Sequence, residues 1–397
     1  MAEIRDNTTK VFFSLVQAGL WEKEARLAPY GEVDYAEVLE LAEEQSVVGL
    51  VAAGIEHITD SKPQKKDVLQ FIGRTVQLEQ RNSAMNYFIG VIVEKMREAG
   101  IYTALVKGQG VAQCYTRPLW RANGDVDLFL DVPNYQKAKE FLRSLASHIG
   151  GEDSMRLHLE MTIDPWAVEL HGTMHTGISH RVDRVVDKIQ KDIFENNGVR
   201  LWRNDAVDVP LPSPDNDVFI IFTHFIDHFY VGGVGLRQIC DWCRLLWKYK
   251  DEIDRNLLEE RLKGMGLNEE WKAFASFAVE YLAMPVEAMP LYEKSEKYNR
   301  KARRICNLVI ETGNFGHNKD ESYRAKVGRV KSFFITFWRR LKEPAPTSML
   351  PSAPITDEKL SCIWFFTSSK EAGTVTMAVQ PKLRMFVSSS FAKVKPF

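Results

Sequence analysis

At 397 residues, with 45% hydrophobic and 26% charged side chains, the chain has the proportions of an ordinary soluble globular protein and the length of two or three packed units. A formal net charge of -1 removes any global attraction for nucleic acid, leaving only a local basic patch to supply one. No run of apolar residues reaches the ~20 needed to cross a membrane, and the N-terminal residues lack a basic region followed by an apolar core, so the expectation is a cytoplasmic protein with neither membrane nor nucleic acid as partner.

In chain order, residues 1–100 read as a helical leader. Val11, Phe12, Leu15 and Val16 recur at helical spacing, as do Val38, Leu39, Leu41, Ala42, Val47 and Val48 after Asp34. A polar break at 61–67, with Pro63, starts a long amphipathic helix from Asp67 to Ala99, which Gly100 closes.

An αβ core follows over 101–212. A strand-like run, Ile101 to Val106, enters the turn Lys107-Gly108-Gln109-Gly110; a short amphipathic segment, Val111 to Tyr115, and a polar link, Thr116 to Asn123, lead to a second strand, Gly124 to Leu130. Helical periodicity from Tyr135 to His148 is expected to break at Gly150-Gly151. Met155–Met161 and Trp166–His171 alternate on either side of Asp164-Pro165 and predict a hairpin. A helix from Arg181 to Phe194 precedes Ala206–Pro212, whose prolines limit it to an edge strand.

Residues 213–343 return to helices, at Asp215–Phe229, Leu236–Tyr249, Leu257–Leu262, Glu270–Leu282 and Ala302–Ile310, with a glycine-rich break at 232–235. Tyr323–Leu341 is basic and aromatic; a membrane surface or nucleic acid is one reading of it, and packing of its aromatic face on the bundle the preferred one. The tail, 344–397, has no assigned structure beyond strand-like runs at Ile363–Phe366 and Val375–Val379. No internal repeat is present.

Five cysteines, an odd and scattered number, suit a reducing compartment better than a disulfide framework. Cys240 and Cys243 have the spacing of half a zinc site, but no second pair completes it and their helical run is apolar, so they read as buried structural thiols.

The chemistry gathers on the second strand. Asp125 and Asp127 stand two residues apart, on one face and ~7 Å from each other along the strand. The bland reading is a solvated acidic face. Val126, Leu128 and Phe129 make the strand mostly buried, however, where unpaired carboxylates are costly; with no cation nearby in sequence, a hard divalent metal is the better reading, and with it phosphoryl or nucleotidyl transfer. Glu169, on the apolar Trp166–His171 strand, can complete the cation site or polarise an attacking hydroxyl. Lys107-Gly108 offers a close backbone approach and a point charge to a phosphate, without matching the longer Walker A pattern. Arg121 either neutralises a phosphate or pairs with Asp125. His224 and His228, at i and i+4 on one helix face, lack the glutamate of a zinc-protease motif. Like His171 and His175, they read as packing or cleft-lining groups able to contact a nucleotide phosphate. Arg237 and Asp241 on the next helix are candidates to face the same cleft.

Through Leu105-Val106-Lys107-Gly108, with Tyr115, Pro118, Arg121 and Gly124-Asp125-Val126-Asp127-Leu128, the chain resembles the uncharacterised nucleotidyltransferase family of the polymerase-β-like superfamily. Val168–His171, and His224 and His228 with the Leu236–Leu246 helix, look like downstream features of the same family, so the resemblance spans roughly residues 34–250. It implies an α+β fold: a small mixed sheet flanked by helices, with a helical domain closing a nucleotide cleft. It also implies that Asp125 and Asp127 bind magnesium and that Glu169 is the third carboxylate. The chain departs from the superfamily at the first turn, in the link to the aspartates and at the third carboxylate. Lys107-Gly108 replaces the usual Gly-Ser, so that Lys107 takes over from the missing serine, and the link to the aspartates is long. Glu169 stands where aspartate is commoner.

The activity expected is transfer of a nucleoside monophosphate from an NTP to a hydroxyl acceptor, a small molecule or a protein, with two Mg2+ ions. Asp125, Asp127 and Glu169 are the catalytic and metal-holding set, and Lys107, Gly108, Arg121, Gly124, His224 and His228 the nucleotide-binding candidates. The alternative is a catalytically inactive nucleotide- or protein-binding module on the same fold.

Overall fold

The computed structural model describes residues 7–231 and 233–313. The basic aromatic stretch at 323–341 and the whole tail, including its two strand-like runs, lie outside the described residues.

The leader folds as α1 (Asn7–Trp21), α2 (Tyr35–Glu44), α3 (Val48–Glu56) and α4 (Lys65–Glu98). Asp34 caps α2, its carboxylate accepting from the backbone N–H groups of Ala36 and Glu37. Helices α1 and α3 cross backbone to backbone: a Cβ on Gly19 would lie 1.9 Å from the Leu50 carbonyl oxygen, and one on Gly54 2.0 Å from that of Leu15. Only glycine fits there. The long helix stops at Ala99, and Gly100 follows at φ 69°, the left-handed turn that glycine adopts without strain.

Five strands form the central sheet: β1 (Ala104–Val106), β2 (Val126–Phe129), β3 (His148–Asp153), β4 (His158–Ile163) and β5 (Trp166–His171), in the order β1-β2-β5-β4-β3. β2 and β5 run parallel while the other pairings are antiparallel, so the sheet is mixed. Parallel neighbours cannot be joined by a tight turn. The chain between them runs through α6 (Val132–Arg143), which Asp131 caps, and through β3 and β4. One sheet face is apolar. Val126, Leu128, Leu159, Met161, Val168 and Leu170 pack there with Ile89, Ile92 and Val93 of α4 and with Tyr135, Ala138 and Leu142 of α6. Strand alternation then sends Asp127, Glu169, His171 and His158 to the opposite face.

Around the sheet stand α5 (Gly108–Ala112), α7 (His180–Glu195), the hairpin β6 (Val199–Asn204) with β7 (Val207–Pro212), and the helices α8 (Pro214–Val231), α9 (Leu236–Lys248), α10 (Arg255–Met265), α11 (Asn268–Leu282) and α12 (Glu296–Thr312). The α+β fold expected from sequence is the one observed. Two local expectations are corrected. Gly150 and Gly151 do not end a helix; they lie inside β3 at an irregularity of its pairing, where a Cβ on Gly150 would meet the Glu160 carbonyl oxygen at 3.2 Å. The partner of β7, Val199–Asn204, was not anticipated. Cys240 and Cys243 are buried in α9 and burial pushes both thiols up. They join no metal-capable cluster among the described residues.

Candidate active site

Two separate parts of the chain deliver the carboxylates. Asp125 immediately precedes β2 and Asp127 lies on it, while Glu169 comes from β5, where it is the register partner of Asp127. One oxygen from each carboxylate lies within 4.8 Å of the others. Asp127 is buried, and Asp125 and Glu169 are half-buried. All three line a cleft of about 340 Å³ between the polar sheet face and residues of α8 and α9.

The buried strand has no cation nearby in sequence, but the fold brings two basic groups to Asp127. The Lys107 ammonium stands 2.5 Å from Asp127 Oδ1, and His171 Nε2 2.9 Å from the same oxygen. Lys107 reaches it from the turn after β1, a strand paired with β2 so that Val106 faces Asp127. The turn is tight: Lys107 has φ 56° and Gly108 φ 39°, and a Cβ on Gly108 would sit 3.4 Å from the Asp125 carbonyl oxygen. Glycine is therefore required at 108 by conformation. Gly124 has no such constraint, since a Cβ there would meet nothing.

The electrostatics are those of crowded charges. Burial, the neighbouring Asp127 and a hydrogen bond with Glu169 push the Asp125 carboxyl up to about 6. Burial acts the same way on Glu169, but hydrogen bonds from His158 and His171 outweigh it and hold that carboxyl well below the usual range. Lys107 is raised: burial opposes its charge, and the adjacent Asp127 and Glu169 more than restore it. An all-oxygen set of this kind, with one carboxyl unable to ionise easily beside two others, fits a hard divalent cation such as Mg2+.

Arg121 does not pair with Asp125. It makes a bidentate pair with Asp241 of α9, Nε to Oδ1 at 2.9 Å and Nη2 to Oδ2 at 2.7 Å, and the Tyr115 hydroxyl donates to the same Oδ1 at 2.7 Å. The link before β2 is further held by Asn82 of α4, whose amide donates to the carbonyls of Leu119 and Arg121. Arg237 and Asp241 do line the cleft, and Arg237 donates to the Ala122 and Asn123 carbonyls. His224 and His228 also line it, their rings edge to face with centroids 4.5 Å apart. Burial lowers both, His228 to about 4, so they face the cleft as neutral imidazoles. Among the described residues they belong to no metal-capable cluster.

His158 was missed. It sits opposite His171 in the β4–β5 register, and its Nε2 is 3.3 Å from Glu169. The signal was present: closing the hairpin at Asp164-Pro165 pairs Ile163 with Trp166 and therefore His158 with His171.

The sequence model of an uncharacterised nucleotidyltransferase family matches residues 31–283, more than half of the chain. No curated protein and no solved structure matches it. No helix among the described residues is long and apolar enough to cross a membrane. The family match covers every residue that lines the cleft.

Proposed function

From the premise that the chain belongs to the uncharacterised nucleotidyltransferase family, and so to the general class of nucleotidyl transfer, we propose that it moves a nucleoside monophosphate from an NTP to a hydroxyl acceptor. The observation that carries this reading is the convergence of Asp125, Asp127 and Glu169 on one wall of a cleft. These three are the residues that would hold Mg2+, which when bound supplies charge neutralisation and alignment of the attacking and leaving oxygens.

Lys107 is the nearest cation to the carboxylates. Its ammonium is a point charge on a flexible stem, able to exchange Asp127 for a phosphate oxygen. Arg121 and Arg237 also line the cleft, but Asp241 neutralises Arg121 and Arg237 holds backbone carbonyls, so we assign them to positioning rather than to direct phosphate contact. Glu169 accepts from two imidazoles, and an anion stabilised in that way is a better cation ligand than proton acceptor. Neutral His224 and His228 on the facing helix are suited to polar groups of the nucleotide or acceptor. The neutral overall charge disfavours a long nucleic-acid template as acceptor.

Pyrophosphate release from each NTP with Mg2+, across small-molecule and protein hydroxyl acceptors, tests the proposal. Release that Asp127→Asn abolishes supports it. Mg2+-dependent NTP binding with no release on any acceptor would point instead to a binding module.

A further inference from the structure

Two imidazoles converge on a single carboxylate oxygen at the cleft. His158 and His171 are cross-strand partners, so their side chains leave the sheet on the same face. The rings stack with centroids 4.8 Å apart and planes 25° from parallel. His158 Nε2 lies 3.3 Å and His171 Nε2 3.2 Å from the same atom, Glu169 Oε2. One ligating atom from each of the three residues falls within 4.8 Å of the other two.

Two N–H donors on one oxygen would account for these distances by hydrogen bonding alone. The spans also match a second arrangement. Nitrogen and oxygen donors ~2.0–2.2 Å from a common tetrahedral metal are about 3.3 Å from each other, the separation of both nitrogens from Oε2. The ligands are carried on paired strands, which fixes their spacing. All three line the cleft, so a fourth position is open to water or a substrate oxygen, as at catalytic rather than structural zinc sites.

We propose that His158, Glu169 and His171 form a binding site for a divalent transition metal of the Zn2+ or Co2+ class. Imidazole nitrogen selects such metals over Mg2+, whereas Asp125 and Asp127 offer only oxygen, which Mg2+ prefers. The cleft thus has two cation-binding chemistries side by side, with Glu169 common to both. The site goes beyond the transfer reaction: it shares Glu169 with the Mg2+ set, but its two imidazoles are assigned to no step of transfer.

The test uses the intact chain with excess Mg2+ to fill the oxygen site, titrated with Co2+ and read by visible absorption, with Zn2+ added afterwards. Wild type is expected to bind one equivalent of Co2+ with the intense bands of low coordination, and Zn2+ to displace it. His158→Gln, which removes a ligand that touches Glu169 but not Asp127, should weaken binding at least about tenfold, since even outer-shell partners of metal ligands cost that much. Asp125→Asn should retain it. Equal Co2+ affinity in wild type and His158→Gln overturns the proposal. Should that variant not melt cooperatively, pulsed EPR of Cu2+, a metal that imidazole favours, bound to wild type with Mg2+ in excess decides: imidazole nitrogen couplings support the site and their absence refutes it. Failure of pyrophosphate release with Co2+ binding intact would refute the transfer reading alone.

Discussion

Asp127 on β2 and Glu169 on β5 are direct register partners across parallel strands. Strands so paired lie ~4.8 Å apart, which brings two carboxylates from distant parts of the chain into one site and repeats with every alternate residue on that face. The same face carries His171 next to Glu169, and the antiparallel β4 adds His158. The site is therefore a property of the sheet and not of a flexible loop, and its consequences can be measured one residue at a time.

Asp125 is expected to destabilise the fold at neutral pH when no metal ion is bound. Its carboxyl titrates near 6 in the folded chain against ~3.9 when unfolded. The folded state therefore binds more protons between those values, and the stability it confers is fully present below pH ~4 and lost as pH rises through 6. In EDTA, Asp125→Asn should melt above wild type at pH 8 by the equivalent of at most about 3 kcal/mol, with the gap closing by pH 4. Thermal melts across that range check the sign; a gap that widens toward pH 4 refutes it.

Asp241 answers a buried guanidinium and a buried hydroxyl at once. Removing it as Asp241→Ala leaves Arg121 charged without a counterion, which costs about 3–5 kcal/mol for a buried pair. Urea unfolding should register that loss. A change under 1 kcal/mol would mean that water reaches Arg121 freely.

Glycine substitutions separate conformation from crowding. Gly54→Ala drives a Cβ against the Leu15 carbonyl oxygen and should destabilise by about 1–3 kcal/mol as the helices move apart. Gly73→Ala, exposed on α4 with open space around it, should stabilise by roughly 0.5–1 kcal/mol through helix propensity. Paired thermal melts of the two variants give opposite shifts if the α1–α3 crossing is as close as described.

Lys107→Met keeps the length of the side chain and removes its charge. If the ammonium transfers from Asp127 to the triphosphate, NTP affinity falls at least about tenfold, the loss of a hydrogen bond to a charged group, while the melt stays cooperative. Unchanged affinity by calorimetry would leave Lys107 as a partner of Asp127 only.

Much of this was legible in the sequence because alternation is a local property. Asp127 and Glu169 could be assigned to strands from their neighbours, although Asp125 falls one residue before β2, and the run Trp166–His171 matches β5 residue for residue. The family resemblance then supplied the mixed sheet. Pairings made across the fold were harder to see. Nothing local indicates that Arg121 reaches Asp241 in α9, or that Lys107 turns back to Asp127. Gly150-Gly151 looked like a breaker because glycine ends helices, yet here it admits a neighbouring backbone inside a strand. Val199–Asn204 alternates with arginine and tryptophan on a half-exposed ribbon, a pattern too weak without its partner. His158 was recoverable from the hairpin register alone.

The most direct test of the central claim is a calorimetric titration of NTP into wild type and Asp127→Asn, each with and without Mg2+. The account predicts that wild type binds NTP in a Mg2+-dependent manner, and that Asp127→Asn loses that dependence while still melting cooperatively. Binding of the Mg2+–NTP complex to Asp127→Asn as tightly as to wild type would contradict it.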